Sequence, residues 1–232
     1  MRLKHLSMAL LIALLASGCD APPLSGISYF PLTEDRSWLY RIERTTHDGK
    51  SEIRQHLQTI YIEKKVGGIE AVRQTAAGEK YKYEITNDAV SRVLNTKNSG
   101  TSSRALRLIL PANVQKGARW SSETTTTVLQ SSQPPWEKTF KISANVPMRY
   151  EVLSSQSKVV TSAGSFENCL HVRGKGSILQ DAGNYIGQTT IEIETEEWFA
   201  PEIGVVKILR EERTGSETLP GGTLHMELLD WK

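Results

Sequence analysis

One group of residues in the second half of the chain has the types needed for nucleophilic catalysis. Glu167, Cys169, His171 and Arg173 alternate along a predicted strand and share one of its faces. A thiol beside an imidazole is the pair that performs Cys–His nucleophilic attack. Residues two apart on a strand have Cα atoms about 6.6 Å apart with parallel side chains, whereas working pairs normally come from different elements. We therefore predict no catalytic residue here, but a structural row that is buried or faces the rim.

Other candidates for chemistry also favour structural roles. A carboxylate cluster could bind a cation only opposite a further carboxylate, and a solvated sheet face is the expected role of Glu192, Glu194 and Glu196. The histidines lack metal-binding spacing: His47, His56 and His225. We predict no metal site and no cofactor. Four tryptophans could line a ligand cavity inside a barrel, although filling the core is their more common role: Trp38, Trp120, Trp198 and Trp231.

The other cysteine, Cys19, lies where an apolar run ends. Arg2 and Lys4 precede residues 8–16, an unbroken apolar stretch that is too short to cross a bilayer, which needs about 20 residues. This order is typical of a secretory signal peptide. Residues 16–18, Ala-Ser-Gly, resemble a bacterial lipobox with alanine in place of the usual leucine, although ordinary cleavage at a small-x-small site is the alternative. We predict a lipoprotein signal peptide at residues 1–18 and acyl chains on Cys19.

A lipidated Cys19 would hold the protein at a membrane. Each buried methylene contributes about 0.8 kcal/mol, so two or three acyl chains anchor a protein stably. Residues 19–28 form a short predicted tether that Pro22 and Pro23 stiffen. The expected location is the bacterial cell envelope, facing the periplasm. Asp20 resembles an enterobacterial retention signal and favours the inner membrane over the outer membrane, which stays open.

The charge balance excludes one class of partner. The chain has 28 basic and 26 acidic residues, and removal of residues 1–18 takes away Arg2 and Lys4, which makes the two numbers equal. A nucleic-acid-binding protein would show a concentrated basic face, so we predict no nucleic acid partner. With Cys19 acylated, Cys169 has no partner for an internal disulfide, and burial is its expected state.

Period-two alternation predicts the fold class. Apolar side chains alternate with polar ones at Trp38–Tyr40–Ile42, Tyr81–Tyr83–Ile85, Phe140–Ile142–Ala144–Val146 and Ile191–Ile193. This pattern is typical of antiparallel strands with one dry face and one wet face. We predict an all-β protein: one antiparallel domain over residues 29–232, forming a meander that closes into a barrel, half-barrel or sandwich of about ten strands.

Several local predictions accompany this fold. Pro201 and Gly204 predict a reversal that pairs residues 191–199 with 205–211 as a hairpin, so that glutamates of the first strand lie near Lys207 or Arg210. The threonines of residues 124–127 predict an exposed strand. Residues 105–110 fit either a short helix that Pro111 ends or an apolar strand.

Three stretches resemble a group of uncharacterised bacterial exported lipoproteins and periplasmic β-barrel-like domains. They are YFPLTEDRSWLY (29–40), SAGSFENCLHV (162–172) and EEWFAPEIGVVK (196–207). The pattern that they resemble is a Trp-x-Tyr opening, an Ala-Gly-x-Phe segment leading into Cys-Leu-x-Val, and a Trp-aromatic-Ala-Pro turn ending in Gly-x-Val-Lys. The resemblance implies an antiparallel β domain at the cell envelope and carries no catalytic residues.

Three functions fit these observations. The first is a non-enzymatic envelope lipoprotein that serves as an interaction or accessory module for other envelope proteins. The second is a carrier or binder of a lipid or other apolar ligand in a barrel cavity of about 300–1,000 Å³. The third is a hydrolase, which would need a nucleophile and a base within about 3 Å of each other in a cleft.

Overall fold

The computed structural model describes residues 24–98, 101–132, 140–184 and 186–232, and most of them lie in antiparallel strands. A short 3₁₀ helix covers Gly26–Tyr29. Within the described part, no helix has the length and hydrophobicity needed to cross a membrane. The strands are β1 (Ser37–Thr46), β2 (Gly49–Lys65), β3 (Gly68–Thr75), β4 (Lys80–Ile85), β5 (Ala89–Asn98), β6 (Thr101–Pro111), β7 (Arg119–Thr125), β8 (Gln130–Ser131), β9 (Phe140–Lys141), β10 (Asn145–Thr161), β11 (Gly164–Asp181), β12 (Gln188–Ala200), β13 (Gly204–Thr214) and β14 (Gly221–Trp231).

Twelve strands form one sheet in the order β6-β5-β4-β3-β2-β1-β14-β13-β12-β11-β10-β7, and β8 pairs with β9 separately. The order follows the chain except where β14 pairs with β1 and β7 pairs with β10. The sheet curls until its edge strands β6 and β7 meet, where the Ser122 hydroxyl donates to the Leu108 carbonyl at 2.7 Å. The predicted antiparallel class is confirmed, and of the predicted forms the described residues show a nearly closed barrel, with twelve strands in its sheet.

The alternation in the sequence determines which face of each strand is buried. In β1, Trp38, Tyr40 and Ile42 are all buried, and in β12 so are Ile191 and Ile193. The predicted hairpin is confirmed, because β12 pairs antiparallel with β13 across the turn at residues 201–203. Burying one face of each strand removes apolar surface from water and stabilises the curled sheet.

Both ends of the barrel are crossed by chain segments. At one end, the 3₁₀ helix bridges β6 and the β12–β13 turn: the Gly26 amide donates to Ala112 at 3.0 Å and the Glu202 amide donates to Ser28 at 2.9 Å. A Cβ atom at Gly26 would lie 2.0 Å from the Pro111 carbonyl oxygen, so only glycine permits this approach. At the other end, the segment between β7 and β8 reaches across to β13.

Two clusters of buried apolar side chains form the core. The larger one includes Leu110, Val146, Ile191 and Phe199, from strands on both sides of the barrel. The smaller one lies where the tip of the β10–β11 hairpin meets the neighbouring strands, and the Ala163 amide donates to the Leu228 carbonyl at 3.2 Å. Its buried members are Trp38, Tyr40, Ile42, Val159, Phe166, Cys169, Ala200, Val206 and Leu228.

Three local predictions need correction or a decision. The threonine run is not an exposed strand, because Thr124 and Thr126 are buried and β7 ends at Thr125. Residues 105–110 belong to strand β6, which settles the choice between helix and strand. Of the β12 glutamates, the inward Glu197 is close enough to Arg210 for the two charges to interact, as predicted, but the outward ones pair with β11: Glu196 binds Arg173 at 3.1 Å and Glu194 binds Lys175 at 2.8 Å. Which neighbouring strand supplies the cationic partner depends on the cross-strand register, and the sequence does not reveal that register.

Candidate functional site

A cavity of about 360 Å³ lies inside the barrel, within the size range of small-molecule sites. Its wall combines aromatic, aliphatic and charged side chains. The aromatic part consists of Tyr29, Phe30, Tyr40, Tyr81, Tyr83 and Phe199. The aliphatic part consists of Leu57, Ile109, Val205, Ile208, Leu224 and Met226. The charged part consists, among the described residues, of Arg73, Arg92, Arg107, Arg210 and Glu197.

A larger depression of about 790 Å³ lies elsewhere, beside β7, β10, β11 and β12. Many of its lining residues are exposed, among them Ser121, Arg149 and Lys175. Two ion pairs already join charges of its wall, Lys175 with Glu194 and Arg213 with Glu211. We therefore take the barrel interior, where charges meet aromatic rings out of water, as the candidate site.

Some polar residues of the cavity wall occupy strand positions that face the barrel interior. On β3, Arg73 occupies the inward register between the buried residues Ala71 and Thr75. On β12, Glu197 continues the inward series that begins with Ile191 and Ile193. An inward polar residue on a strand whose neighbours are buried is unusual, because burying a polar group costs free energy.

Arg73 is the most deeply buried charge of the cavity wall, with 7% of its surface exposed. Its guanidinium carbon lies 3.8 Å from the ring centroid of Phe30 and 4.3 Å from that of Trp38. One Nη donates to the Pro31 carbonyl at 3.0 Å, but within the described ranges Nε has no hydrogen-bond partner. Burial lowers the pKa of Arg73 below its ordinary value, and no carboxylate among the described residues counters this effect.

Arg210, by contrast, has its counter-ion within the protein. Its Nε donates to the fully buried carboxylate of Glu212 at 2.7 Å. The same carboxylate accepts from the Thr127 amide at 2.8 Å and from the Val128 amide at 3.0 Å. This network ties β13 to the segment that crosses the barrel end, so its first role is to hold the barrel closed.

The carboxyl group of Glu197 is surrounded by protein, although part of its surface faces the cavity. Burial raises the pKa of Glu197 above its ordinary value, and the charges of Arg210 and Arg107 oppose that rise. Burial also raises the pKa of the neighbouring Tyr150 to about 12, and the charge of Glu197 adds to this. Among the described lining residues, four arginines therefore face one carboxyl group.

The raised pKa of Glu197 predicts a pH-dependent stability. The folded protein binds this proton more tightly than the unfolded chain, so stability falls as pH rises from the ordinary carboxyl pKa through the raised one. Glu197→Gln removes this titration. Urea unfolding from about pH 5 to about pH 8 should show a flatter profile for the variant, and a higher stability than the wild type at the upper end.

The matched control for this prediction is Glu192→Gln, which changes an exposed glutamate on the same strand. That variant should reproduce the wild-type pH profile. Parallel profiles for Glu197→Gln and the wild type across the whole pH range would show that Glu197 does not titrate differently in the folded state.

The barrel wall has a notch next to the cavity. β3 and β4 are short strands of 8 and 6 residues, whereas β2 has 17. β3 pairs with β2 only from Leu57 onward, so the other half of β2 extends beyond it. Three residues at this place line the cavity and are also partly exposed to solvent: Gln55, Tyr81 and Arg92. The interior therefore reaches solvent at the notch, and Arg92 stacks there on Tyr81, 4.3 Å from its centroid.

The structure separates the residues that the sequence placed in one row. Cys169 is fully buried in the smaller core cluster, and burial raises the pKa of its thiol to about 11. Its sulfur contacts the carbonyls of Phe166 and Glu167, while His171 stacks on Trp198 and contacts Glu196 at 3.2 Å. Next to Cys169, Asn168 has a φ of 54°, which interrupts the regular strand. A protonated, buried thiol is a structural group rather than a nucleophile.

The remaining predicted positions have these outcomes. Cys19 and the leader lie outside the described residues. In the described part of the chain, no three His, Cys, Asp or Glu side chains group as metal ligands would. The four tryptophans do not form the cavity wall: Trp38 and Trp231 pack in the smaller cluster, Trp120 stacks on Tyr150, and Trp198 stacks on His171. The sequence did not lead us to Arg73 and Glu197. Both are charged residues at positions that the period-two alternation assigns to the interior, and this signal could have revealed them.

Comparisons with known proteins establish the fold and no more. No protein-family model matches the chain, and no curated protein matches it either. Solved structures with a similar fold include a Bacteroides fragilis protein described as exported and as having a YmcC-like fold, with a TM-score of 0.52 and 16% identity over 88% of this chain and 98% of that chain. Another is a protein described as a lipoprotein from Parabacteroides distasonis, with a TM-score of 0.50 and 14% identity over 88% and 98%.

Proposed function

We propose that this chain is a non-enzymatic lipoprotein of the bacterial cell envelope whose barrel binds a small amphipathic molecule. The observation that carries this proposal is the cavity of about 360 Å³, whose wall joins six aromatic side chains to charged ones. Pockets of this kind bury most of an apolar ligand and orient it with a few polar groups. Between the two non-enzymatic functions that the sequence suggests, the geometry favours the binder over the accessory module.

The location of the binder follows from the lipobox-like leader. Acyl chains on Cys19 would hold the barrel close to a membrane surface, facing the periplasm, with Asp20 favouring the inner membrane. One of the two fold neighbours is described as an exported protein and the other as a lipoprotein, which supports this location. A membrane is also a source of amphipathic molecules, so the anchor and the cavity serve one function.

The proposal is tested by what co-purifies with the protein. Full-length protein produced with its own leader should release about one small molecule per chain into organic solvent. Ile208→Trp adds bulk to the cavity wall and should reduce the released molecule to background. Mass spectrometry of the extracts measures both quantities.

Leu209→Trp provides the control, because Leu209 is the next residue of the same strand and is 39% exposed. This variant should release as much of the small molecule as the wild type. Extracts that contain no specific molecule, or equal amounts from both variants, would exclude the binder and favour the accessory module for envelope proteins.

A further inference from the structure

We propose that the barrel selects a molecule with an anionic group, a carboxylate or a phosphate, joined to an apolar chain, and that Arg73 binds the anionic group. This inference rests on the proposed binding function and adds the chemical class of the ligand. It follows from three features of the cavity: an arginine without a counter-ion among the described residues, an excess of cationic side chains, and a wall whose other residues are mostly aromatic and aliphatic.

The first feature is the buried charge of Arg73. Burying a cation is costly unless it is paired, and buried arginines are normally found with a carboxylate. Arg73 is more than nine-tenths buried, lines the cavity, and contacts no carboxylate among the described residues. Its Nε is a buried donor that finds no acceptor in the part of the chain that the structure describes. An anion in the cavity would supply both the missing charge and the missing acceptor.

Aromatic rings offset only part of this cost. The guanidinium of Arg73 lies over Phe30 and Trp38, and 5.4 Å from the centroid of Tyr83. Cation–π contacts attract the charge but accept no conventional hydrogen bond from Nε. The rings also hold the guanidinium in a fixed position, so it needs little reorganisation when an anion arrives.

The second feature is the distribution of the other cavity charges. Arg210 forms an ion pair with Glu212, so the two residues together add no net charge to the interior. Arg92 lies at the notch, stacked on Tyr81, where it can attract an anion toward the interior. Glu197 is the one acidic residue among the described lining residues, and burial raises its pKa. The interior therefore favours anions over cations.

The third feature excludes a free inorganic anion as the main ligand. Beyond Arg73, the wall presents Phe199, Ile208 and Leu224, which cannot hydrate a small ion. An apolar chain would remove this surface from water and would gain the hydrophobic free energy of burial. An amphipathic anion uses both parts of the wall, whereas a free phosphate uses only one.

The test compares two probes that share one apolar chain and differ in their head group, which is an anionic carboxylate in one and a neutral hydroxyl in the other. Full-length protein in phosphatidylcholine nanodiscs is incubated with a diazirine-bearing dodecanoic acid or with the matching alcohol. Ultraviolet light then activates the diazirine, and labelled peptides are identified by mass spectrometry. The acid should label cavity peptides about ten-fold more than the alcohol, because a hydrogen bond between charged groups strengthens binding by about this factor. Dodecyl phosphate should compete with the acid probe, and inorganic phosphate should not.

Substitution then assigns the preference to one residue. Arg73→Met should lower labelling by the acid to the level of the alcohol, and its thermal stability without ligand should equal or exceed the wild type, because no carboxylate loses a partner. Arg73→Lys retains the charge and should keep part of the preference. Arg119→Met, which changes an exposed arginine paired with Glu151, should leave labelling unchanged.

The outcomes separate this inference from the binding function on which it rests. Equal labelling by acid and alcohol, which the wild-type chain alone can show, would overturn the anion preference while the binding function stands. An acid preference that survives Arg73→Met would overturn the role of Arg73. Competition by inorganic phosphate as strong as that by dodecyl phosphate would overturn the amphipathic ligand. Absence of label in cavity peptides from either probe would overturn the binding function itself.

Discussion

Replacing Glu212 by alanine should lower the free energy of unfolding by about 3–5 kcal/mol, the cost of leaving one partner of a buried charged network alone. The substitution removes the acceptor of the Arg210 guanidinium and of the backbone amides of Thr127 and Val128. These groups are buried or partly buried, so water cannot fully replace the lost carboxylate. Thermal unfolding should show a fall in Tm of about 10 °C.

Glu211 provides a matched control for this prediction, because it is the preceding residue on β13 and forms a surface ion pair with Arg213. Glu211→Ala should cost less than about 1 kcal/mol, as exposed ion pairs contribute little. Glu212→Gln keeps an oxygen acceptor but loses the charge, so its cost should lie between the two. Equal costs for Glu211→Ala and Glu212→Ala would mean that the network does not hold the barrel end closed.

Replacing Cys19 by serine should release the protein from the membrane. The proposed anchor consists of acyl chains attached through the Cys19 thiol, and a serine hydroxyl cannot form that thioether. Because each buried methylene contributes about 0.8 kcal/mol, loss of two or three chains should change the distribution from almost wholly membrane-bound to mostly soluble. Fractionation of cells after a high-salt wash measures the distribution, and intact mass spectrometry shows whether the chain begins at Cys19 with acyl groups attached.

The second cysteine of the chain gives the control. Cys169 is buried in the smaller core cluster, so Cys169→Ser should leave the distribution between membrane and soluble fractions unchanged. Membrane association of Cys19→Ser equal to that of the wild type, or an unmodified thiol at Cys19 in the intact mass, would exclude the lipid anchor.

The alternation of apolar and polar residues was enough to predict the class of fold. It identified the buried face of β1, where Trp38, Tyr40 and Ile42 point away from solvent, because the side-chain period of a strand is two. Turn residues predicted the β12–β13 hairpin for a similar local reason. These features depend on neighbours in the sequence, and the sequence contains them directly.

Features that depend on distant parts of the chain were not predicted. The carboxylate of Glu212 meets Thr127 and Val128, which are more than eighty residues away in sequence. The threonine run was misassigned for this reason, since Thr124 accepts a hydrogen bond from Arg210 across the barrel and is buried. Glu196 has one neighbouring strand on each side, and its ion pair is with Arg173 of β11. Period-two patterning does not predict which of the two strands supplies the partner.

The candidate site was predictable in one respect only. An inward arginine between Ala71 and Thr75 is visible in the sequence as a conflict between the pattern and the residue type, and such conflicts often mark functional positions. Its aromatic neighbours, Phe30 and Trp38, come from the 3₁₀ region and β1, so only the closed barrel shows the cage around the charge.

Native mass spectrometry tests most directly whether the barrel binds one small amphipathic molecule. The sample is the wild-type protein, released from its own membranes under mild conditions. We expect a species that exceeds the mass of the acylated chain by one small molecule, and collisional activation should convert it into the acylated chain alone. A single species at the mass of the chain itself, already under the mildest conditions, would contradict the account.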